Sequence, residues 1–149
     1  MRLVEFFLSE MSEEDFAVYS RKAIEDFARN KIELIFTTHM KQQIAFNLDP
    51  RRAAQASPKA FSEIFNGILK AWNAGKLDKF LMNLDKRPEV YVLFKRKFTT
   101  PEKRPGVANV PCVILKKILP YEFKIKALTF MVKDHYMNAD FPQDSVLWV

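Results

Sequence analysis

A change of hydrophobic period at Pro88 constrains the fold of this chain more than any other feature. Before Pro88 the apolar residues recur at helical spacing, whereas after it Val90, Val92 and Phe94 alternate with other side chains. The two periods belong to different backbones, so the N-terminal part is predicted to be mainly helical and the C-terminal part mainly β-strand. This order predicts an α+β fold, with N-terminal helices packed on a C-terminal, mainly antiparallel sheet of three to five strands.

Local signals set the expected element boundaries. Ser12 is a good N-cap followed by acidic residues, and Ser57 precedes a proline at the first position of the clearest helix. Thr38 is the expected cap of a short helix, and Gly75 is a plausible helix end. The predicted helices are 13–30, 38–45 and 58–75, with helical turns at 77–84. The predicted strands are 32–37, 90–98, 110–119, 123–127 and 145–149, with a loop at 99–109.

Composition excludes several classes of protein. The single cysteine, Cys112, lies within an apolar run, which predicts a buried thiol and excludes an internal disulfide. The two histidines are far apart, so neither a metal site nor a cofactor is expected. No apolar run approaches the roughly 20 residues that span a bilayer, and Glu5 interrupts the N-terminal apolar run too early for a signal peptide. Neither a membrane nor secretion by a signal peptide is therefore expected.

Positive charge is concentrated in one part of the chain. Residues 86–126 contain 11 Lys and Arg against three acidic residues, whereas the rest of the chain holds 13 basic and 15 acidic residues. A one-sided field of this kind favours an anionic partner, DNA or RNA. If the C-terminal strands form one sheet, its lysines point away from the core and attract phosphates, and Tyr91 on the same face stacks on a base. The candidate nucleic-acid-binding residues are Tyr91, Lys95, Arg96, Lys97, Lys103, Arg104, Lys116, Lys117, Lys124 and Lys126.

A simpler interpretation is that these lysines form a solvated strand surface that discourages edge-to-edge aggregation.

A few other polar residues suggest chemistry instead of binding. His39 is predicted at a strand–helix junction, in a chain whose Arg51 and Arg52 follow in a loop. Histidine acts as a general acid or base and arginine stabilises a charged phosphate, as RNA cleavage requires. His135 is a second candidate, and the alternative for both histidines is a surface or capping role.

The first ten residues resemble a known targeting segment. Met1–Glu10 is similar to the capsid-targeting prefix of internal head proteins of T-even-like tailed phages, with a basic residue after Met and the ending Leu8-Ser9-Glu10. The resemblance implies a phage origin, cleavage between Glu10 and Met11, and a location in the phage head or the host cytoplasm. It divides the chain into a prefix, 1–10, and a single α+β domain, 11–149.

The order of elements resembles a second group. Phe36-Thr37-Thr38-His39, followed by a helix and by strands near 109–113 and 128–131, is similar to small phage proteins and toxins of the RelE/barnase/colicin ribonuclease group. That resemblance implies a metal-independent ribonuclease. This chain has Gln43 where an arginine often follows the histidine in such proteins, which removes a phosphate-binding group.

Three functions follow from the sequence. The first is a phage-encoded basic protein that binds nucleic acid, packaged in the head and injected into the host. The second is a small metal-independent ribonuclease that uses His39 with Arg51 or Arg52. The third is a host-takeover protein that binds a host protein through its apolar N-terminal segment.

Overall fold

The computed structural model describes residues 13–45, 58–99, 105–117, 119–132 and 141–149. Its helices are α1 (Glu13–Ala28), α2 (Thr38–Ala45), α3 (Pro58–Asn73) and α4 (Asp78–Leu81), and 3-10 turns cover Met82–Asp85 and Gln143–Ser145. Its strands are β1 (Ile32–Phe36), β2 (Glu89–Thr99), β3 (Pro105–Lys116), β4 (Phe123–Ala127), β5 (Met131–Val132) and β6 (Val146–Trp148). The predicted α+β class is confirmed.

The strands form one mixed sheet in the order β1-β4-β3-β2-β6, with β5 beside β3. The C-terminal pairings β2–β3, β3–β4 and β3–β5 are antiparallel, whereas β1 pairs with β4 and β6 with β2 in parallel. Within the described ranges the sheet has six strands, more than the three to five expected, because β1 joins it from the N-terminal half. Ile32, Leu34 and Phe36 of β1 are buried in strict alternation, so one face of this edge strand packs into the core.

Helices α1 and α3 cover one face of the sheet, here called the helix face. Phe61 of α3 lies at the centre of the aromatic packing there. Its ring centroid is 4.6 Å from that of Phe65, 5.7 Å from Phe36 of β1 and 5.8 Å from Phe16 of α1. These rings join the two helices to the sheet, because aromatic pairs at such separations add favourable contacts to the burial of their area.

Strand β3 is longer than the predicted strand, and it begins at Pro105 within the predicted loop 99–109. That part of the loop prediction is wrong because the long β2–β3 hairpin continues to the pair Thr99↔Pro105. Pro111 is tolerated in this central strand because it falls between the stretches that pair with β4 and β5. Its carbonyl accepts a hydrogen bond from the Leu128 N–H at 2.9 Å. The Leu128 carbonyl, to which Pro111 has no N–H to donate, accepts from the Thr37 Oγ1 at 2.7 Å instead.

The opposite face of the sheet, called the far face, is also buried along its centre. Leu93 is 1% exposed and Val113 is 6% exposed, although both point away from α1 and α3. Phe141, itself buried, packs edge-on against the Tyr91 ring at 5.5 Å on this face. The far face is therefore not the continuous solvent-facing surface that the alternation in β2 and β4 predicts.

Replacement of Phe61 by alanine tests the aromatic packing. Phe61 is 1% exposed and contacts rings of α1, of β1 and of the segment that joins β4 to β5. Phe61→Ala is therefore expected to lower the free energy of unfolding by about 3–5 kcal/mol. Urea denaturation measures the change. Val18→Ala, at an exposed position of α1, is the control and is expected to change the free energy by about 0.5 kcal/mol or less. Equal effects of the two substitutions would contradict this account of the core.

Candidate nucleic-acid interface

The candidate basic residues of the far face form two groups at opposite edges of the sheet. The register places Lys124 and Lys126 of β4 beside β1 at one edge. At the other edge it places Lys95 beside Trp148 of β6. The intervening strand β3 contributes the buried Val113, which is the register partner of both Lys126 and Tyr91. The predicted basic face is therefore divided by an apolar strip.

The first group, the lysine cluster, consists of Lys117 and Lys124, which contact the Glu33 carboxylate, and of Lys126 on the same face of β4. Glu33 and Lys124 are direct partners across the parallel β1–β4 pair. The Lys117 and Lys124 ammonium nitrogens lie 3.7 and 3.8 Å from the same oxygen, Glu33 Oε1. Lys126 is partly exposed and forms no ion pair with another described residue. Two ammoniums thus lie within 4 Å of one carboxylate at this edge, and a third lysine follows two residues along β4.

Neighbouring lysines are neutralised by their own partners. Lys31 lies 3.6 Å from Glu122, and Lys116 donates a hydrogen bond of 2.7 Å to Asp85. Lys116 pairs with Phe123 in register, so it belongs to the helix face and is not part of the far face. Of the adjacent candidates Lys116 and Lys117, it is therefore Lys117 that joins the far face.

Lys95 is buried, contrary to the prediction that it points into solvent. Its residue is 7% exposed, and its ammonium donates a hydrogen bond of 2.7 Å to Asn109 Oδ1. Desolvation by burial lowers the pKa of Lys95 below its ordinary value. The Asn109 amide also donates to the carbonyls of Val107 and Met131, at 3.1 and 3.3 Å. Lys95 therefore belongs to an internal polar network, which removes it from the set of surface phosphate contacts.

The second group, the aromatic edge, consists of Tyr91, Lys97 and Trp148. The Trp148 side chain is 48% exposed, and the Lys95 and Lys97 ammoniums each lie 5.8 Å from its ring centroid. These are cation–π distances. Tyr91 is 39% exposed and donates a hydrogen bond of 2.8 Å to Glu89. Trp148 was not among the predicted site residues, although its alternation with Leu147 in a predicted strand was a signal that it shares a face with Val146.

Arg96 was predicted to belong to the basic surface. It lies on the helix face instead. Its Nη1 donates a hydrogen bond of 2.7 Å to the Val149 carbonyl, and its Nε lies 3.8 Å from Glu63 Oε2. The cause is parity, because Arg96 alternates in phase with Val92 and Phe94, which face the helices. Arg96 holds the C-terminal segment against α3 and is not positioned for the far face.

The predicted catalytic group is not assembled among the described residues. His39 is exposed in the first turn of α2, and no hydrogen bond or ion pair joins it to another side chain of the described ranges. Thr37, not Thr38, caps this helix, because its Oγ1 accepts from the Met40 N–H at 3.2 Å while donating to the Leu128 carbonyl at 2.7 Å. The remaining predicted residues lie outside the described ranges: Arg51, Arg52, Lys103, Arg104, His135, Glu10 and Met11.

A cleft of about 550 Å³ opens between the 3-10 turn after α4 and the start of β2. Its charged lining residues are Arg87, Glu89 and Asp144, so negative charge exceeds positive charge there. A phosphate is disfavoured in such a cleft, which leaves the lysine cluster as the better anion site.

Comparison of the chain with protein-family models, with curated proteins and with solved structures finds no match. Within the described ranges, no group of three histidine, cysteine or acidic side chains is arranged to hold a metal ion. No helix in that part of the chain is long and apolar enough to cross a bilayer. Cys112 is fully buried, and burial raises the pKa of its thiol, so it has the structural character that the sequence predicts.

The internal network of Lys95 predicts a stability cost on removal of its acceptor. Asn109→Ala is expected to lower the free energy of unfolding by about 1–3 kcal/mol, because it removes an oxygen that accepts from a buried ammonium. Chemical denaturation measures this cost, and Asn66→Ala, at an exposed position of α3, is the control. The loss should be smaller at high pH. Because the pKa of Lys95 is lowered in the folded state, the unfolded chain binds more protons than the folded chain between that lowered pKa and the ordinary value of 10.5. The free energy of unfolding therefore rises with pH through that window. A loss no larger than that of the control would show that the network is not stabilising.

Proposed function

We propose that the lysine cluster binds the phosphate backbone of a single-stranded nucleic acid. The observation that carries the proposal is that three lysines, Lys117, Lys124 and Lys126, lie at one sheet edge, and that Glu33 is the one acidic residue of the described ranges whose carboxylate contacts any of them. Ammonium groups bind phosphates mainly by releasing condensed counterions, and a polyanion engages several of them at once. A small anion reaches only the two lysines that share Glu33, whereas a polyanion also engages Lys126, so a polymer is the favoured ligand.

The spacing of the cluster suits an extended chain. Lys124 and Lys126 lie two residues apart on one strand, which separates their Cα atoms by about 7 Å along β4. Both side chains emerge on the same face because the side-chain period of a strand is two residues. Successive phosphates of an extended strand therefore meet successive lysines without a bend in the ligand.

The aromatic edge favours a single strand over a duplex. Trp148 and Tyr91 are exposed on the same face as the cluster, and exposed aromatic rings stack on unpaired bases of any sequence. The bases of a duplex are already stacked on each other and offer only their edges in the grooves. A nucleic acid that reaches from β4 to the aromatic edge crosses β3. Tyr91 on β2 is about two strand spacings from β4, or roughly 10 Å, and Trp148 on β6 is about three, or roughly 14 Å.

The phage-head, ribonuclease and host-protein hypotheses remain predictions. Packaging in a phage head depends on residues 1–10, which lie outside the described ranges. The ribonuclease hypothesis uses His39 with Arg51 or Arg52, and both arginines lie outside those ranges, as does the second candidate, His135. Binding of a host protein through the N-terminal segment rests on the same prefix. None of the described contacts favours these functions over nucleic-acid binding.

The direct test is a salt series of binding to labelled single-stranded RNA, single-stranded DNA and duplex DNA, measured by fluorescence anisotropy. If three lysines contact phosphates, the logarithm of the association constant should fall with the logarithm of salt concentration with a slope of about −2 for the single strands. Probe length is checked on the same samples by gel electrophoresis. A shortened RNA probe would favour the ribonuclease instead.

Charge reversal locates the binding surface. Lys124→Glu combined with Lys126→Glu is expected to abolish measurable binding, whereas a single Lys124→Gln change should weaken it and reduce the magnitude of the salt slope by about 1. Lys22→Glu combined with Lys70→Glu makes the same change of net charge at exposed positions of the helices and is the matched control. Equal losses in the two double variants would show that binding follows net charge alone and would overturn the proposed site.

A further inference from the structure

Glu33 stands at the point where two lysines of the cluster converge. Its Oε1 lies 3.7 Å from the Lys117 ammonium and 3.8 Å from the Lys124 ammonium. Both distances exceed that of a hydrogen bond, and Oε1 is a buried oxygen with no hydrogen-bond partner. The carboxylate is therefore attracted by two cations without being fixed by a directed bond to either.

The two ammoniums near Glu33 Oε1 are groups that also bind a phosphate oxygen. Phosphates and carboxylates are both bound by charge-assisted contacts with ammonium groups. A phosphate oxygen that approached Lys117 and Lys124 together would have to take the place of Glu33 Oε1. The two anions cannot share the place, because like charges at such short separation repel each other strongly.

We propose that Glu33 is an internal competitor for the phosphate site formed by Lys117 and Lys124, and that it sets the affinity of that site for nucleic acid. In the free protein the Glu33 carboxylate lies between the two ammoniums. A bound phosphate displaces it, so each binding event includes the loss of two ion pairs. This inference rests on the proposed function and adds a residue that controls affinity at the same surface.

The competition is weak enough to be overcome. The side chains of Glu33, Lys117 and Lys124 are 30%, 39% and 23% exposed, so solvent screens their attraction. Partly exposed ion pairs of this kind contribute little each. A single phosphate displaces Glu33 at a small cost, whereas free monoanions at low concentration do not. The carboxylate thereby favours ligands that bring several linked phosphates to the cluster.

The test compares two substitutions that remove one negative charge each. Glu33→Gln keeps the shape of the side chain and is expected to tighten binding of a single-stranded oligothymidylate by roughly 3- to 10-fold at low salt. Glu25→Gln, at an exposed position of α1, is the matched control and is expected to change affinity less than about twofold. Equal effects of the two would overturn the inference, since they would reflect net charge alone.

A double-mutant cycle separates competition from a structural role. The gain from Glu33→Gln should shrink when Lys124 is already replaced by glutamine, because the competitor then has one fewer cation to occupy. An undiminished gain would contradict direct competition. Thermal unfolding of each variant gives a second readout. If Glu33→Gln lowers the melting temperature and leaves affinity equal to that of the control, Glu33 only stabilises the β1–β4 pairing and the inference fails.

Titration with inorganic phosphate distinguishes failure of this inference from failure of the proposed function. Backbone amide shifts of Lys117 and Lys124 in NMR spectra are expected to move at several-fold lower phosphate concentration in Glu33→Gln than in the original chain. If that shift occurs while no oligonucleotide binds, the competitor is supported and the nucleic-acid function is wrong. If oligonucleotide binding depends on Lys124 and Lys126 but neither ligand responds to Glu33→Gln more than to Glu25→Gln, the function stands and the competitor is overturned.

Discussion

The parallel pairing of β1 with β4 is the contact on which both the core and the lysine cluster depend. It joins residues about 90 positions apart, such as Leu34 and Ile125, and it contributes to both faces of the sheet. On the helix face it brings β1 under the aromatic rings of α1 and α3. On the far face it sets Glu33 beside Lys124, so the electrostatics of the site follow from the register of one strand pair.

Burial on both faces of β3 explains why the charged residues lie at the edges. From Ala108 to Ile114 every residue of this strand is buried, which is the pattern of a central strand covered on both sides. A buried charge is costly unless it is hydrogen-bonded, so lysines near the middle either withdraw into a network, as Lys95 does with Asn109, or are absent. Exposed ammoniums are left to the outer strands, beside β1 and β6.

Sequence patterns predicted the elements whose signals are local. The helices α1 and α3 and the strand β4 lie within a few residues of their expected bounds, because periodicity and capping depend on neighbours in the chain. Membership of β1 in the sheet and the burial of Lys95 were not accessible in this way, since both depend on partners distant in sequence. The placement of Arg96 was accessible: its phase with Val92 and Phe94 already assigned it to the helix face.

The dispersal of the basic residues changes what the net charge means for function. Lys116 is paired with Asp85, Arg96 with the Val149 carbonyl and Lys95 with Asn109, so these three cationic groups are engaged in contacts within the protein. At about 0.1 M salt, screening limits the reach of the exposed charges to about 10 Å. A ligand therefore senses a few ammoniums and not the whole basic segment. Because only a few ammoniums lie there, the single Glu33 carboxylate lowers the net positive charge of the lysine cluster by a large fraction.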